Sequence, residues 1–578
     1  MQVTVRAVDE RIVERLASAL RVRPATARCL VARGVKDPRD AQGFIDPRLA
    51  ALRPPAGLAG LPRAVERIAD AVTRGERIGV FGDYDVDGVT TAALLASFLR
   101  AAGAHVEVAV ARRDAGYGFT AAAAQDFAAR GCTLVITGDC GTSDLDAIAA
   151  ATASAIDVII VDHHTVPSAE HAHPAQALVN PFRADSTFPF RGMASVGLGF
   201  YVAASVRTEL RERRHFAGGQ GLPEPDVREL LDLVALGTIA DLVPLTDENR
   251  ILTALGLRRL QARARPGIAA LLAAAGVDAE REIDARVIGW RLAPRLNAPG
   301  RLGAAEPALA LLLADAATAT ERAQVLEQAN ADRRAVQDRV MSEALAVLGD
   351  RDPGAAIVLA GEGWPSGIVG IVAAKLVDKY GKPAFVIGID RATGIGRGSA
   401  RTCGGVNLYE ALSVAAGELG PRLARFGGHA AAAGFTVQRE HVAALAEALS
   451  GAVPRLAEGS GPVSQARDVD AEVRLGEVDE RLAEELAGLG PFGQHNPPPL
   501  LVTRAAKDTS ARRVGDGSHL KLTVEDDRQT TRTAIGFGLG ERPVAGGARG
   551  ALAFVPTIST WQGRRSAELE VADLAVVS

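Results

Sequence analysis

The segment Gly82-Asp83-Tyr84-Asp85-Val86-Asp87-Gly88 places three carboxylates in alternation, directly after the apolar run Ile78-Gly79-Val80-Phe81. Two further apolar runs also end on acids. Leu134–Thr137 leads into Gly138-Asp139, and Val158–Val161 leads into Asp162-His163-His164. Short apolar runs of this kind read as strands of a parallel sheet buried on both faces. In an open α/β sheet, ligands bind beyond the carboxyl ends of the strands. Three acid-bearing strand ends therefore meet at one cleft, where repulsion and desolvation are offset only by cations. Mixed carboxylate and imidazole donors suit manganese; magnesium is compatible, and zinc is less favoured.

Three plainer readings compete. Asp-x-Asp-x-Asp-Gly also opens an EF-hand calcium loop, but the Glu that such a loop needs at its twelfth position falls on Leu94. A buried strand also precedes the segment where an EF-hand would have a helix. Helix capping is the second rival. Asp87 or Thr90 could cap a helix from Val89, and Asp139 one near Asp144, which explains one acid per site but not three in alternation. The third rival makes His163-His164 a satisfied structural pair, against which stands their place after an acid at a strand end.

The elements that would position these groups follow from pattern. Residues 1 to about 55 read as helical, broken by Pro24, Pro47, Pro54 and Pro55. From about 60 to 250 strands and helices alternate: Arg77–Phe81, His105–Val110, Cys132–Thr137 and Asp157–Val161 as strands, and Val89–Ala102, Ala121–Arg130, Ala194–Glu212 and Val227–Leu236 as helices. Alternation of this kind predicts a parallel sheet with crossover helices. Residues 304–350 read as one or two connecting helices. A second α/β unit follows, with strands Ala356–Ala360 and Pro383–Ile389, helix Ile368–Tyr380, a Gly-rich tail to Gly434 and helix Val442–Leu449. Gly459-Ser460-Gly461-Pro462 reads as a linker, and the short strands beyond it predict a small barrel or sandwich. The domain expectation is 1–59, 60–303, 304–350, 351–458 and 459–578. Bulk numbers agree with several globular domains: 578 residues, 48% hydrophobic, 23% charged. A net charge of −4 makes any polyanion site a local patch. The four cysteines, Cys29, Cys132, Cys140 and Cys403, form no C-x-x-C pair, which argues against a disulfide framework or structural zinc. Neither a signal peptide nor a bilayer-length apolar run is read, so a cytoplasmic location and no membrane contact are expected.

Taken in order, GDYDVDG, GDCG (138–141), VDHH (161–164) and the run Ala235 to Leu245 ending Asp241-Leu242-Val243-Pro244-Leu245 resemble the four phosphoesterase motifs of the DHH family. From about 60 to 575 the chain resembles the RecJ-type single-strand-specific 5′→3′ exonucleases of that family. The resemblance continues through residues 294–301, 396–401 and 427–435. It implies an α/β architecture with a parallel-sheet DHH phosphoesterase domain, a long connecting helix, a second α/β DHH-associated domain and a C-terminal OB-like β-barrel. It also implies a centre of two divalent cations held by Asp83, Asp85, Asp87, Asp139, His163 and Asp241, with His164 in the catalytic set. His163 or His164 would stabilise charge on the phosphorus or protonate the leaving oxygen. Two positions depart from the family: Phe81 and Pro365 stand where many relatives carry His.

A 5′ exonuclease holds a terminal phosphate, which suits Arg. The resemblance carries Arg112, Tyr117, Arg301, Ser399 and Arg401 to that pocket and His429 to the strand. On its own, Arg112-Arg113 reads rather as a solvated loop. Residues 500–565 hold 11 Lys or Arg against 6 Asp or Glu, so Arg512, Arg513, Lys521, Arg532, Arg564 and Arg565, with Phe537 and Trp561, could track and stack a single strand. Their rival role is a solvated barrel surface over an aromatic core. The implied role is DNA repair and recombination, with single-stranded DNA as substrate, a helicase and a single-strand-binding protein as partners, and a monomeric state. The alternatives are a phosphoesterase for small substrates such as short oligonucleotides, cyclic dinucleotides or pyrophosphate, which should survive deletion of 460–578, and a non-catalytic DNA-binding scaffold.

Overall fold

The computed structural model describes residues 2–113, 116, 118–167, 173–216, 222–457, 466–541, 549–561 and 563–576. Tyr117 and the side chain of Trp561 lie outside the described residues. The chain forms two compact units: one from 55–241 with 259–463, the other from 1–54, 242–258 and 464–578.

The first unit is built on two sheets. One has five parallel strands, in the spatial order His105–Val110, Arg77–Gly82, Leu134–Gly138, Asp157–Val161, Ala177–Val179. Strands Arg77–Gly82 and Leu134–Gly138 are neighbours, although His105–Val110 lies between them in sequence. The direction of winding therefore reverses between these two strands, and such a switch point opens a crevice at the strand ends. Asp83 and Asp139 follow these strands directly. Helix Val86–Ala101 is buried nearly all round, which accounts for its uniformly apolar sequence. Its first turn lies hard against the strand before it. A Cβ on Gly82 would meet Gly88 O at 2.3 Å, and one on Gly88 would meet Asp83 N at 2.5 Å. The glycines bracketing the acidic motif thus permit a backbone contact that no side chain allows. The apolar faces of strands Leu134–Gly138 and Asp157–Val161 bury Val135, Val158 and Ile160 against Phe127 and Ile148 of the helices Ala121–Ala129 and Leu145–Ala153 that precede them.

Helix Glu306–Leu312 and the 30-residue helix Ala319–Leu348 lead to the second sheet. Its order is Leu423–Gly428, Ala432–Gln438, Ile395–Arg401, Ala384–Ile389, Ile357–Glu362, with only the last pair parallel. The segment expected as a Gly-rich tail is therefore three strands and a helix, Leu408–Leu419. Glycine lowers the strand signal in sequence, yet Gly398 is needed, because a Cβ there would lie 2.2 Å from the Phe435 ring.

In the second unit, strand Leu501–Val514 pairs with both His519–Glu525 and Arg549–Trp561 and closes a barrel through Thr531–Gly536 and Arg564–Val576. The barrel alternative is the one realised. The N-terminal segment carries a strand as well as helices. Gln2–Val5 pairs in parallel with Ala466–Val469. Leu16, Leu30 and Cys29 share one core with Leu475, Leu486, Leu522 and Phe554. Deleting 460–578 would thus strip the core from residues 1–54 and is not a clean test of substrate size. No helix among the described residues is long and apolar enough to cross a membrane.

Candidate metal centre and phosphate pocket

The seven predicted acidic and imidazole residues come together. Ligand atoms of Asp83, Asp85 and Asp139 lie within 4.8 Å of one another, as do those of Asp87, His163 and Asp241, and those of Asp139, His163 and His164. Each arrives by a different local device. Asp85 caps helix Val86–Ala101 by accepting from Gly88 N at 3.0 Å, so the cap is Asp85 and not Asp87 or Thr90. Asp87 turns away from its own helix. Its two carboxylate oxygens accept Ser195 N at 2.7 Å and Val196 N at 3.0 Å, the free donors at the start of helix Ser195–Glu212. Asp139 sits in the left-handed region at φ +63° and caps no helix. It accepts from Ser195 Oγ at 3.1 Å and lies 3.3 Å from His163 Nε2. Asp241 ends helix Leu231–Ala240, 3.5 Å from His163 Nε2.

The electrostatics show what this cluster lacks. Burial, then the neighbouring Asp85, pushes Asp83 up to about 8 and Asp87 to about 7. Burial and the charges of Asp87 and Asp85 push Asp241 up to about 9. Asp139 is raised well above the usual carboxylate range by burial and by four acidic neighbours. For Asp83 the charged form is disfavoured by on the order of 5 kcal/mol. None of these carboxylates forms an ion pair with Lys or Arg among the described residues, and Asp83 Oδ1 is buried without a hydrogen-bond partner. An orphaned carboxylate oxygen among several crowded acids fits divalent cations, which remove both penalties at once. The donor set is oxygen-rich with imidazole, as manganese or magnesium requires.

Asp162 differs. Burial pushes it up, but a hydrogen bond from His164, aided by Thr142, outweighs this and brings it down to about 2. It accepts His163 N at 2.8 Å, His164 N at 3.1 Å, His164 Nδ1 at 2.7 Å and Thr142 Oγ1 at 2.5 Å. Asn180 donates to His164 O at 2.9 Å. Asp162 thus clamps both histidines and fixes the His164 ring, as carboxylates behind metal-binding histidines do. The two rings part company electrostatically. Burial and the His164 charge lower His163 to about 4. For His164, burial is outweighed by Asp162 and the other carboxylates, and its pKa is raised. Asp162, Ser195 and Asn180 were missed as site residues in sequence. Asp162 stood in the motif itself, whereas the other two act across the fold and leave no local signal.

A second cluster gathers at the first turn of helix Ser366–Tyr380, which has no side-chain cap. Arg301 donates to Gly367 O at 3.1 Å, and Arg401 donates to Ser399 Oγ at 3.0 Å. A Cβ on Gly367 would lie 2.2 Å from Arg301 O, and one on Gly370 would lie 2.9 Å from Ser399 Oγ and 3.2 Å from Arg401. Two glycines one turn apart therefore let this helix approach all three groups. Burial, then the charges of Arg113, Arg333 and Arg401, lowers Arg301 to about 10. Pro365 is the N-cap of this helix. Arg112 is exposed and lies 3.8 Å from Glu306. Its neighbour Arg113 is the more enclosed, stacked 4.0 Å over the Tyr84 ring and donating to Gly300 O at 2.9 Å. His429 is exposed in the turn whose Ala432 pairs with Arg401, which removes a core role for it. Within the barrel, Phe537 is exposed and meets His519 edge-on at 5.3 Å.

Comparison with known proteins gives a consistent picture. The DHH family N-terminal domain model matches residues 77–238, the DHHA1 domain model 353–453 and the RecJ OB domain model 469–573. The chain is similar to the single-stranded-DNA-specific exonuclease RecJ of Bacillus subtilis, 35% identical over 98% of this chain and 70% of the relative. It is also similar to that of Salmonella typhimurium, 33% identical over 95% and 96%. The crystal structure of RecJ in complex with Mn2+ from Thermus thermophilus superposes with a TM-score of 0.82 at 28% identity, covering all of this chain and 80% of that one. The Mg2+ complex from the same organism gives 0.76 at 27% identity, covering 100% and 79%.

Proposed function

The chain belongs to the RecJ family of DHH phosphoesterases, and from that premise we propose that it degrades single-stranded DNA from the 5′ end, releasing 5′-mononucleotides, in DNA repair and recombination. The observation that carries this reading is the pairing, within one unit, of a crowded carboxylate–imidazole centre with an arginine pocket at an uncapped helix start. Asp83, Asp85, Asp87, Asp139, His163 and Asp241 would hold two divalent cations, manganese foremost and magnesium as an alternative. When bound, such ions supply charge neutralisation at the scissile phosphate and an activated water.

The remaining chemistry belongs to side chains. Ser195 holds Asp139, and the helix start at Ser195–Val196 holds Asp87, so the acids keep their aim without a cation. His163, with its depressed pKa, stays neutral and acts as a ligand. His164, clamped by Asp162 and more readily protonated than a free imidazole, supplies the proton to the leaving oxygen. Water adds to phosphorus, the bond to the 3′ oxygen of the terminal nucleotide breaks, and that oxygen takes the proton. The shortened strand now begins with a new 5′ phosphate. Arg301, Ser399 and Arg401, with Arg112 and Tyr117, would hold that phosphate, so each cycle regenerates the group the pocket selects. His429 and the barrel would hold the strand. A cytoplasmic location, a monomeric state, and a helicase and a single-strand-binding protein as partners complete the reading.

The test uses single-stranded and blunt duplex DNA labelled at either end, with manganese. Release of mononucleotide from the 5′ label of the single strand, with the duplex intact, is the expected outcome. Stable strands of both kinds would overturn the nuclease reading. Arg401→Ala is expected to lower the ratio of kcat/KM for 5′-phosphorylated over 5′-hydroxyl strands by about 10–100-fold, the worth of one or two charge-assisted hydrogen bonds. An unchanged ratio would remove Arg401 from the pocket.

A further inference from the structure

The connecting helix Ala319–Leu348 carries a polar stripe that the motifs leave unassigned. Asn330 is fully buried, Gln337 is buried, and Arg333 lies between them at helical spacing on the same face. Arg333 donates from Nη2 to Asn330 Oδ1 at 3.0 Å and from Nη1 to Gln337 Oε1 at 2.9 Å. Two donors remain buried without a partner, Arg333 Nε and Asn330 Nδ2. Buried donors without acceptors cost about 1–3 kcal/mol each, so a built stripe with two of them points to a missing acceptor. This helix packs against both the helix Ala293–Leu302 that bears Arg301 and the helix Ser366–Tyr380 whose first turn meets Arg301, Ser399 and Arg401. No carboxylate forms an ion pair with Arg301, Arg333 or Arg401 among the described residues.

Resting on the terminal-phosphate reading above, we infer that Arg333 is a further specificity-determining cation of that pocket, held in place by Asn330 and Gln337 and responsible for much of the selection of a 5′-phosphorylated end over a 5′-hydroxyl end. The charge that Arg333 places on Arg301 supports this, since like charges brought together with no carboxylate directly paired to them, Asp85 and Asp338 acting only as weaker influences, are stabilised when a multiply charged anion arrives. A phosphate monoester carries close to two charges at pH 7; a hydroxyl carries none. The added cation therefore discriminates between the two ends by more than a single Arg would.

The experiment measures kcat/KM on otherwise identical 5′-phosphorylated and 5′-hydroxyl strands for the full chain and three variants. Arg333→Gln is expected to lower the ratio about tenfold, while Arg333→Lys, which keeps the charge, retains most of it. Asn330→Asp has the same shape and neutralises Arg333 in place, so it is expected to lower the ratio severalfold even if Arg333→Gln folds poorly; thermal melting reports folding for each. A ratio equal to that of wild type in both Arg333→Gln and Asn330→Asp, whether or not the rates themselves fall, overturns the role of Arg333. A wild type that shows no preference for the phosphorylated end instead overturns the pocket reading on which it rests.

Discussion

Asp139→Asn is expected to lower strand hydrolysis on the order of 10⁴-fold or more while leaving strand binding and folding intact. The scale is that of removing one member of a catalytic group that acts as a unit. Asp139 is the acid common to two of the three donor groupings and the one closest to His163. Asn is the informative replacement because Asp139 occupies a left-handed backbone conformation that Asn tolerates and most residues do not. The Asn oxygen still accepts from Ser195 Oγ, so the local hydrogen bond survives. Removing one of several mutually repelling buried acids should leave the metal-free protein at least as stable as wild type. A fall in both activity and melting temperature would mark Asp139 as structural, and a loss of activity below tenfold would place it outside the centre. Mononucleotide release and fluorescence anisotropy with a labelled strand separate the two effects.

Divalent-cation binding near pH 7 should release protons, and the metal-free protein should lose stability as pH rises. Asp83, Asp87 and Asp241 have folded-state values of about 8, 7 and 9 against an ordinary 3.8. Between about pH 4 and these values the folded chain holds protons that the unfolded chain has released. Stability from this source is thus complete below about pH 4 and is lost as pH climbs to about 9. Each fully shifted carboxylate contributes a slope of about 1.4 kcal/mol per pH unit within its window. Manganese competes with these protons, so its apparent affinity and the melting-temperature gain it gives should both increase with pH. Calorimetric titration in two buffers of different ionisation enthalpy counts the protons released. A count near zero at pH 7, or a metal-free melting temperature that does not fall between pH 5 and 9, would mean that the acids are already ionised and the centre is not strained.

The first-motif acids, Asp139 and the histidine pair were legible in the chain because a buried strand announces itself and its first polar residue marks the crevice. Asp241 was not legible on those grounds. It ends a helix that is buried on every side, and only the resemblance singled it out. The cap is Asp85 where the sequence offered Asp87 or Thr90, because Asp85 and Asp87 look alike in sequence and differ only in which backbone donors they meet. One serves its own helix, and the other serves a helix that begins more than a hundred residues later. The strands within 395–438 were hidden because glycine there serves close packing and so erases the pattern by which strands are read. Arg113 reads with Arg112 as a solvated loop, and Arg333 does not stand out, for another reason. Each sits beside a second arginine, and sequence gives no means of telling which of a pair faces inward.

The pairing of Gln2–Val5 with Ala466–Val469, and the ion pair of Arg6 with Asp470 across 464 residues, set an order of events in the cell. Residues 2–6 belong to a core whose other half is made 464 residues later. At about 5–20 residues per second, the N-terminal helices wait roughly 20–90 s for their partners. Through that interval their apolar faces stay uncovered while the phosphoesterase sheet is made and folds. A premature stop after Asp241 and before the barrel would therefore leave a nascent chain with all seven centre residues present and its N-terminal helices stranded, a substrate for chaperones and proteases rather than a truncated enzyme.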